Sequence, residues 1–358
     1  MTDMYQFHRD LREHRRAATQ NGSIAILDVG TGKIACLILR FDRNFGSGDA
    51  AVSVPFASRL GFRVIGAATT RSRGIRAGEV ENMPETECAI RTVVQAAQKM
   101  AKTRVDHAII SFAGAAPRSY GLFGQAEVEN PVVEESDVSR CLNNCDMPDF
   151  GLGREILHAQ PVNFALDGAS GLTDPRGQVG EKLATDMHLL TIDEKALYDL
   201  MYCVKRCDLE VAGLASSVYT SGLSSLVEDE QNLGAACIDF GAGTTSISIF
   251  CKKQMIFADS VKIGGEHITS DISMGLQIPM PLAERIKNLY GGAVATGIDI
   301  REMIDLGGET GDWEHDRRQV SRSELIGIIR PRVEEVLDEV RARMDGAGSN
   351  ICQVVRWF

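Results

Sequence analysis

The sequence predicts an α/β protein of two lobes, each organised around a β-hairpin whose first strand ends in aspartate. The chain has 358 residues, more than the about 100 to 200 residues of a single domain. Its 44% hydrophobic and 24% charged residues are typical of a protein with a packed core. Strand-like runs flank glycine-rich turns at Asp28 and again at Asp239, which predicts one hairpin for each lobe.

The charge balance limits the functions to consider. A net charge of -11 and a pI of 5.2 argue against a general nucleic-acid binder, which needs clustered Lys and Arg. No run approaches the roughly 20 apolar residues that cross a bilayer, and the nine cysteines show no secreted framework. We therefore expect a reduced, cytoplasmic protein. The pairs Cys141/Cys145 and Cys203/Cys207 make a zinc site conceivable, but no further ligands complete it and buried free thiols are the favoured interpretation.

The elements of the first half follow in order. Residues 1–22 are polar with little apolar periodicity, so a flexible or loosely helical arm is expected. IAILD, DVGTGK and IACLILRF, from Ser23 onward, predict the first hairpin. The strand RVIGAAT, the helix PETECAIRTVVQAAQKM, the strand VDHAIISFAG and a helix capped by Ser136 then predict a compact insert over about 65–158.

The second half begins with two short strands after Pro161 and an amphipathic helix near 194–205. The runs AACID, FGAGT and TSISIF predict the second hairpin, since the alternation in 246–249 is that of a half-buried strand. A capping box at Ser321-x-x-Glu324 predicts a long helix to about residue 344, with a kink or late start at its internal proline.

Three phosphate-binding designs compete at the first turn. The Walker A pattern fails because Lys33 is not followed by Ser or Thr and Leu27 stands at the first glycine position. The dinucleotide fingerprint fits Gly30-x-Gly32-x-x-Ala35, but that motif must open a helix, and IACLIL favours a strand.

The third design places two hairpins face to face across a cleft. The two motifs are Asp28-x-Gly30-Thr31-Gly32-Lys33 and Asp239-x-Gly241-x-Gly243-Thr244-Thr245. Glycines let backbone N–H groups approach phosphate oxygens, and threonine hydroxyls add donors. The carboxylates suit waters around Mg²⁺, and Lys33 suits a β- or γ-phosphate. The alternative is a pair of ordinary tight turns capped by aspartate.

The chain resembles the actin-like ATPase superfamily and, within it, the FtsA family of bacterial cell-division proteins. The resemblance spans about residues 24–344 through LDVGTGK, GAATTRSRGIRAGEVEN, LHAQPVNFALDG, ACIDFGAGTTSISIF, IGGEHITSDIS, AERIKNLYG and SRSELIGIIRPRVEEVL. It implies an actin-like two-lobed ATPase fold with an FtsA-type inserted α+β subdomain.

The resemblance also implies ATP and Mg²⁺ as cofactors, with at most slow hydrolysis and no catalytic residue assigned. Asp28 and Asp239 would hold Mg²⁺ through water. The implied nucleotide-binding residues are Gly30, Thr31, Gly32, Lys33, Gly241, Gly243, Thr244, Thr245, Gly264, Gly265, Glu284 and Lys287. For Glu284 and Lys287 an exposed helix face is the competing interpretation.

The implied domain organisation assigns a flexible arm, a first lobe, an inserted subdomain, a second lobe, an outer subdomain that is the candidate for docking FtsZ, and an atypical tail. Their boundaries are, in that order, 1–22, then 23–64 with 159–200, then 65–158, then 201–262 with 313–345, then 263–312, and finally 346–358.

The implied function is to assemble with the FtsZ ring through the C-terminal tail of FtsZ, to tether it to the cytoplasmic membrane, and to recruit divisome proteins during septum formation. Implied partners are FtsZ, further copies of the chain and other divisome proteins, but not nucleic acid. The implied location is the cytoplasmic side of the inner membrane at the division site. A pilus-assembly scaffold and a small-molecule kinase of the same fold stay open as alternatives.

The last residues depart from the family. FtsA proteins continue after the long helix with a strand, a Gly-Gly turn against the adenine, and a membrane-binding helix, where this chain has DGAGSNICQVVRWF. We therefore expect a truncated or frameshifted tail without the membrane helix, an incomplete sheet in the first lobe, and ATP binding weaker than that of full-length relatives.

Overall fold

The computed structural model describes residues 2–41, 61–297, 299, 301–306 and 319–354. The helices are α1 (Thr2–Asn21), α2 (Met83–Ala101), α3 (Glu135–Asn143), α4 (Glu194–Lys205), α5 (Ser217–Ser225), α6 (Glu228–Leu233), α7 (Gly265–Leu276), α8 (Met280–Tyr290) and α9 (Arg322–Val354).

The strands are β1 (Ser23–Val29), β2 (Lys33–Phe41), β3 (Phe62–Arg71), β4 (Ile75–Arg76), β5 (Glu79–Val80), β6 (His107–Phe112), β7 (Arg118–Glu127), β8 (Arg154–Leu166), β9 (Ala169–Leu172), β10 (Lys182–Asp193), β11 (Glu210–Ser216), β12 (Ala235–Phe240), β13 (Thr245–Cys251), β14 (Gln254–Val261), β15 (Met303–Asp305) and β16 (Gln319–Ser321).

The first lobe is a five-stranded sheet in the order β11-β6-β1-β2-β3. β1 and β2 form the predicted antiparallel hairpin, and β6 runs parallel to β1. Helices α2 and α4 pack on one face, where Leu27, Ile90 and Leu197 are fully buried in one cluster. This apolar core fixes the end of β1, and with it the turn that carries the first phosphate motif.

The N-terminal arm is an ordered helix, so the flexible arm predicted for 1–22 is wrong. Ala18 of α1 is fully buried against the first sheet beside Ile24, and Leu11 joins the main core. His14 and Arg15 hydrogen-bond the carbonyl oxygens of residues 211 and 212 at 3.1 and 3.2 Å. The packed stripe is half polar, which is why apolar periodicity missed it.

The inserted subdomain starts later than predicted. β3 and β6 belong to the first-lobe sheet, while β7 pairs with β10 in a separate sheet of order β7-β10-β8-β9, covered by α3. The boundary at 65–158 is therefore wrong at both ends, and the assignment of 159–200 to the first lobe fails for β8, β9 and β10. Long-range strand pairing decided this, and it leaves no local signal in the sequence.

The second lobe holds a three-stranded sheet in the order β12-β13-β14, with α5 and α9 packed on it. We predicted an incomplete sheet in the first lobe. That sheet has five strands in the structure. One reason is that β11, predicted to lie in the second lobe with 201–262, joins the first sheet beside β6. Of the two lobe sheets in the described residues, that of the second lobe has fewer strands.

Helices α7 and α8, the pair β15–β16 and the start of α9 share one apolar cluster, which includes Ile272, Ile286 and Leu325. The cluster overlaps the range 263–312 predicted as an outer subdomain, but it also takes in β16 and the start of α9, which were predicted to lie in the second lobe with 313–345. We call it the outer subdomain below. Residues 298, 300 and 307–312 of the predicted range, like 42–60 of the first lobe, lie outside the described residues.

Helix α9 begins at Arg322, with the hydroxyl of Ser321 accepting from the Glu324 N–H at 3.2 Å. The predicted cap is confirmed and the late start is wrong. The helix runs past residue 344 to Val354, and residues 355–358 lie outside the description. None of the described helices is long and apolar enough to cross a membrane.

Candidate nucleotide-binding site

Two hairpin turns of the same design occupy corresponding places in the two lobes, as predicted. In the first, the Gly30 N–H donates to the carbonyl oxygen of Lys33 at 3.1 Å. In the second, the Gly241 N–H donates to the carbonyl oxygen of Thr244 at 2.9 Å. Both turns lead into strands, which excludes the helix-opening dinucleotide motif at either position.

The two turns touch each other across the cleft. A Cβ atom added at Gly32 would lie 2.9 Å from the Cβ of Ala242, and one added at Gly243 would lie 2.8 Å from Oγ1 of Thr31. A side chain at either position would force the opposite turn to shift. The glycines therefore let the two turns pack against each other across the cleft.

A cavity of 670 Å³ opens beside this contact, a size that suits a nucleotide. The residues that line it are Gly32, Arg71, Phe240, Gly241, Ala242, Gly265, Glu266, Thr269, Met280, Pro281, Glu284 and Lys287. A second cavity of 480 Å³ lies between α1 and α4 and has no glycine-rich turn in its lining. Phosphate chemistry therefore points to the first cavity.

The two predicted carboxylates, Asp28 and Asp239, lie on the first strand of each hairpin, just before the turn. Asp28 lies opposite Ala35 in the first hairpin, and Asp239 accepts a hydrogen bond of 2.7 Å from the hydroxyl of Ser221. Burial raises the pKa of Asp28 above its ordinary 3.8, a hydrogen bond with Ser111 and the charge of Lys33 lower it, and the charge of Asp239 raises it further. The two acids thus lie within electrostatic range of each other, where a cation would be stabilised.

A polar network forms the wall supplied by the outer subdomain. Lys287 donates from Nζ to the Gly265 carbonyl oxygen at 3.0 Å, to Thr269 Oγ1 at 2.8 Å and to Glu284 Oε2 at 2.6 Å. Burial acts to raise the pKa of Glu284, but its hydrogen bonds with Lys287 and Thr269 outweigh this and leave it lowered. The acid is therefore held ionised, with its charge oriented toward the start of α7.

Thr269 is a residue that the sequence reasoning missed. Its side chain is buried and its hydroxyl contacts both Glu284 and Lys287. The signal available was its position four residues after Gly265 on a helix, which places it on the same face one turn later.

We expect Thr269→Val to lower the free energy of unfolding by about 1–3 kcal/mol, because it leaves charged partners without a buried hydrogen bond. Denaturant unfolding monitored by circular dichroism measures this loss. Thr269→Ser keeps the hydroxyl and is the control. No loss in Thr269→Val, or a larger loss in Thr269→Ser than in Thr269→Val, would contradict the role given to the hydroxyl.

The structure brings together Gly32, Gly241, Gly265, Glu284 and Lys287 of the predicted residues in the cavity lining. Gly30, Lys33 and Gly243 lie in or beside the two turns. Gly264 has no room for a Cβ, which would lie 2.6 Å from the carbonyl oxygens of Gly241 and Ala242.

The threonines of the turns are buried. Thr245 is fully buried and donates its hydroxyl hydrogen to the Ile263 carbonyl oxygen at 2.8 Å, so it braces the turn and is not free to donate to a ligand. Thr31 accepts from the Gly78 N–H at 2.9 Å, which leaves its own hydrogen for another acceptor. Arg71 and Phe240 also line the cavity and were not predicted.

Comparison with known proteins identifies the family. A family model described as cell division protein FtsA matches residues 236–355, and one described as the SHS2 domain inserted in FtsA matches 114–191. Cell division protein FtsA of Agrobacterium fabrum is 34% identical over 325 residues, which is 91% of this chain and 72% of that protein. The chain belongs to the FtsA family of cell division proteins. FtsA of Pseudomonas aeruginosa is 30% identical over 93% of this chain and 76% of its own length.

The fold of this FtsA-family chain is actin-like. A solved PilM–PilN type IV pilus biogenesis complex superposes with a TM-score of 0.54 at 14% identity, covering 89% of this chain and 75% of that one. At this identity the similarity concerns the fold alone. The match of the SHS2 domain to 114–191 agrees with the sheet that begins at β7. The chain is thus an actin-like cell-division protein.

Proposed function

We propose that this chain binds ATP in the cleft between its lobes and that the bound nucleotide controls its assembly with the division ring. The observation that carries the proposal is the direct contact of the two turns, Gly32 against Ala242 and Gly243 against Thr31. A phosphate chain held there meets backbone donors of both lobes, so its binding favours one closure of the cleft.

Different residues bind the different parts of the nucleotide. The two turns, with Lys33, take the phosphates, while Glu284 and Lys287 take the ribose and base at the outer wall. Glu284 is an acceptor held ionised and about half exposed at 46%, which suits a ribose hydroxyl donor. Gly265 lines the cavity at the start of α7, where the absence of a side chain leaves the backbone open to the nucleotide.

Asp28 and Asp239 suit Mg²⁺ held through water. They are hard oxygen donors on facing lobes. The pKa of Asp28 is raised chiefly by burial and further by the charge of Asp239, and a cation between the two acids would offset both costs. No group of three or more metal-ligating side chains occurs in the described residues, so the remaining ligands of the ion would be waters and phosphate oxygens. Mg²⁺ would supply charge neutralisation for the terminal phosphates.

The acids of the cavity favour a nucleotide-controlled switch over a small-molecule kinase. A kinase needs an acidic base facing a second substrate. Among the described residues the acids that line the cavity are Glu266 and Glu284, and Glu284 is already bound to Lys287 and Thr269. We therefore propose binding with at most slow hydrolysis.

We further propose that the chain assembles with itself, binds the FtsZ C-terminal tail through the outer subdomain, links the ring to the cytoplasmic side of the membrane and recruits other divisome proteins. Family membership supports this role. The outer subdomain has its own apolar core of α7, α8 and the start of α9, and the Lys287 network couples its wall to the cleft. Nucleotide binding in the cleft can therefore change the conformation of the surface that binds FtsZ.

Co-sedimentation with FtsZ polymers tests the proposal. We expect the chain to pellet with FtsZ, and to do so more completely with Mg²⁺ and ATP than without nucleotide. FtsZ lacking its C-terminal tail is the matched control and should leave the chain in the supernatant. Pelleting that is independent of both the tail and ATP, or no pelleting at all, would overturn the proposed role.

A further inference from the structure

Arg71, the last residue of β3, lies directly opposite Lys33 in the antiparallel ladder between β2 and β3. Directly opposed residues of such a ladder share one face of the sheet, with Cβ atoms about 4.5–5.5 Å apart. Two like charges in this relation destabilise the sheet. The pair stands where the first phosphate turn ends, which is the place for an anion to offset that cost.

The charge of this pair is not neutralised within the described chain. Neither cation forms an ion pair there, and the partly buried Asp28 acts on Lys33 only from within electrostatic range. Arg71 is exposed. Together with Gly32 it forms the part of the cavity lining that the first lobe supplies.

The far end of the same ladder offers a comparison. Arg40 and Arg63 are also directly opposed, but Arg40 donates to Thr103 Oγ1 at 3.0 Å and neither lines the nucleotide cavity. Arg63 is exposed on the same strand as Arg71. It is therefore a matched control for the charge and for the strand position.

We infer that Arg71 is a specificity-determining residue that binds the terminal phosphate of a nucleoside triphosphate, with Lys33 beside it. This inference rests on the proposed nucleotide function. A guanidinium presents two parallel N–H donors to phosphate oxygens, whereas an ammonium acts as a point charge. The pair thus adds attraction that grows with the number of phosphates, and it distinguishes a triphosphate from a monophosphate.

Calorimetric titration of the full chain with ATP, ADP and AMP tests this, each with Mg²⁺, on wild type, Arg71→Ala, Arg71→Lys and Arg63→Ala. We expect Arg71→Ala to weaken ATP binding about 10- to 100-fold, the range for a lost hydrogen bond to a charged group. ADP should be weakened less and AMP left unchanged. Arg71→Lys should restore part of the loss, and Arg63→Ala should behave as wild type.

The two proposals fail in different ways. Wild type that binds none of the three nucleotides overturns the proposed function and this inference together. Wild type that binds ATP while Arg71→Ala keeps the same ratio of ATP to AMP affinity overturns this inference alone. A parallel loss for all three nucleotides would place Arg71 against the nucleoside and also contradict it. Equal thermal unfolding midpoints for the variants establish that the fold is retained.

Discussion

Gly78→Ala is expected to destabilise the first lobe by more than about 4 kcal/mol, the level reached by severe steric or strain defects. Gly78 has φ of +77°, and an added Cβ would lie 1.9 Å from the carbonyl oxygen of Ala113 and 2.7 Å from Cα of Gly114. Both obstacles are backbone atoms that cannot rotate away. The same residue donates its N–H to Thr31, so the first phosphate turn should be lost with it.

Denaturant unfolding of Gly78→Ala and of Gly168→Ala measures this effect. Gly168 has φ of +85° but nothing within 4 Å of an added Cβ. It should therefore show only the cost of a left-handed alanine, about 1–2 kcal/mol. Similar losses in the two variants would contradict the close packing of the loop around Gly78 against the first turn.

Asp28→Asn is expected to stabilise the protein at pH 7 while it weakens binding of Mg²⁺ and ATP about 10- to 100-fold, the range for a lost charge-assisted contact. The folded-state pKa of Asp28 is raised, chiefly by burial, so ionisation of Asp28 opposes folding. This penalty is absent below the ordinary pKa of 3.8 and develops as pH rises through the raised value. The neutral amide removes it.

The measurements are thermal unfolding at pH 7 and at low pH, with calorimetry of nucleotide binding. The gain in midpoint should shrink on acidification, because wild-type Asp28 then becomes neutral as well. Asp338→Asn, at an exposed position on α9, should change neither stability nor binding. A variant that is less stable than wild type at pH 7, or that binds Mg²⁺ and ATP equally well, would refute the role given to Asp28.

The sequence was sufficient to predict both hairpins. Aspartate at the end of an apolar strand, followed by closely spaced glycines, is a local pattern, and the alternation in 246–249 excludes a helix. The resemblance added Gly265, Glu284 and Lys287, which the structure gathers in one cavity lining.

What the sequence missed depends on distant contacts. The boundary of the insert was wrong because β6 pairs with β1 and β11, strands far apart in the chain. The ordered packing of helix α1 was missed because two of its packed positions, His14 and Arg15, are polar and bind carbonyl oxygens. Arg71 was missed because its relation to Lys33 exists only in the β2–β3 register.

The central claim is that the two turns hold one phosphate chain. Hydrogen–deuterium exchange of the full chain, with and without Mg²⁺ and ATP, tests it most directly. We predict that ATP slows exchange of the backbone amides in 30–33 and in 241–245 together, over the same range of ATP concentration. Protection of one turn without the other, or of neither at saturating ATP, would contradict the claim.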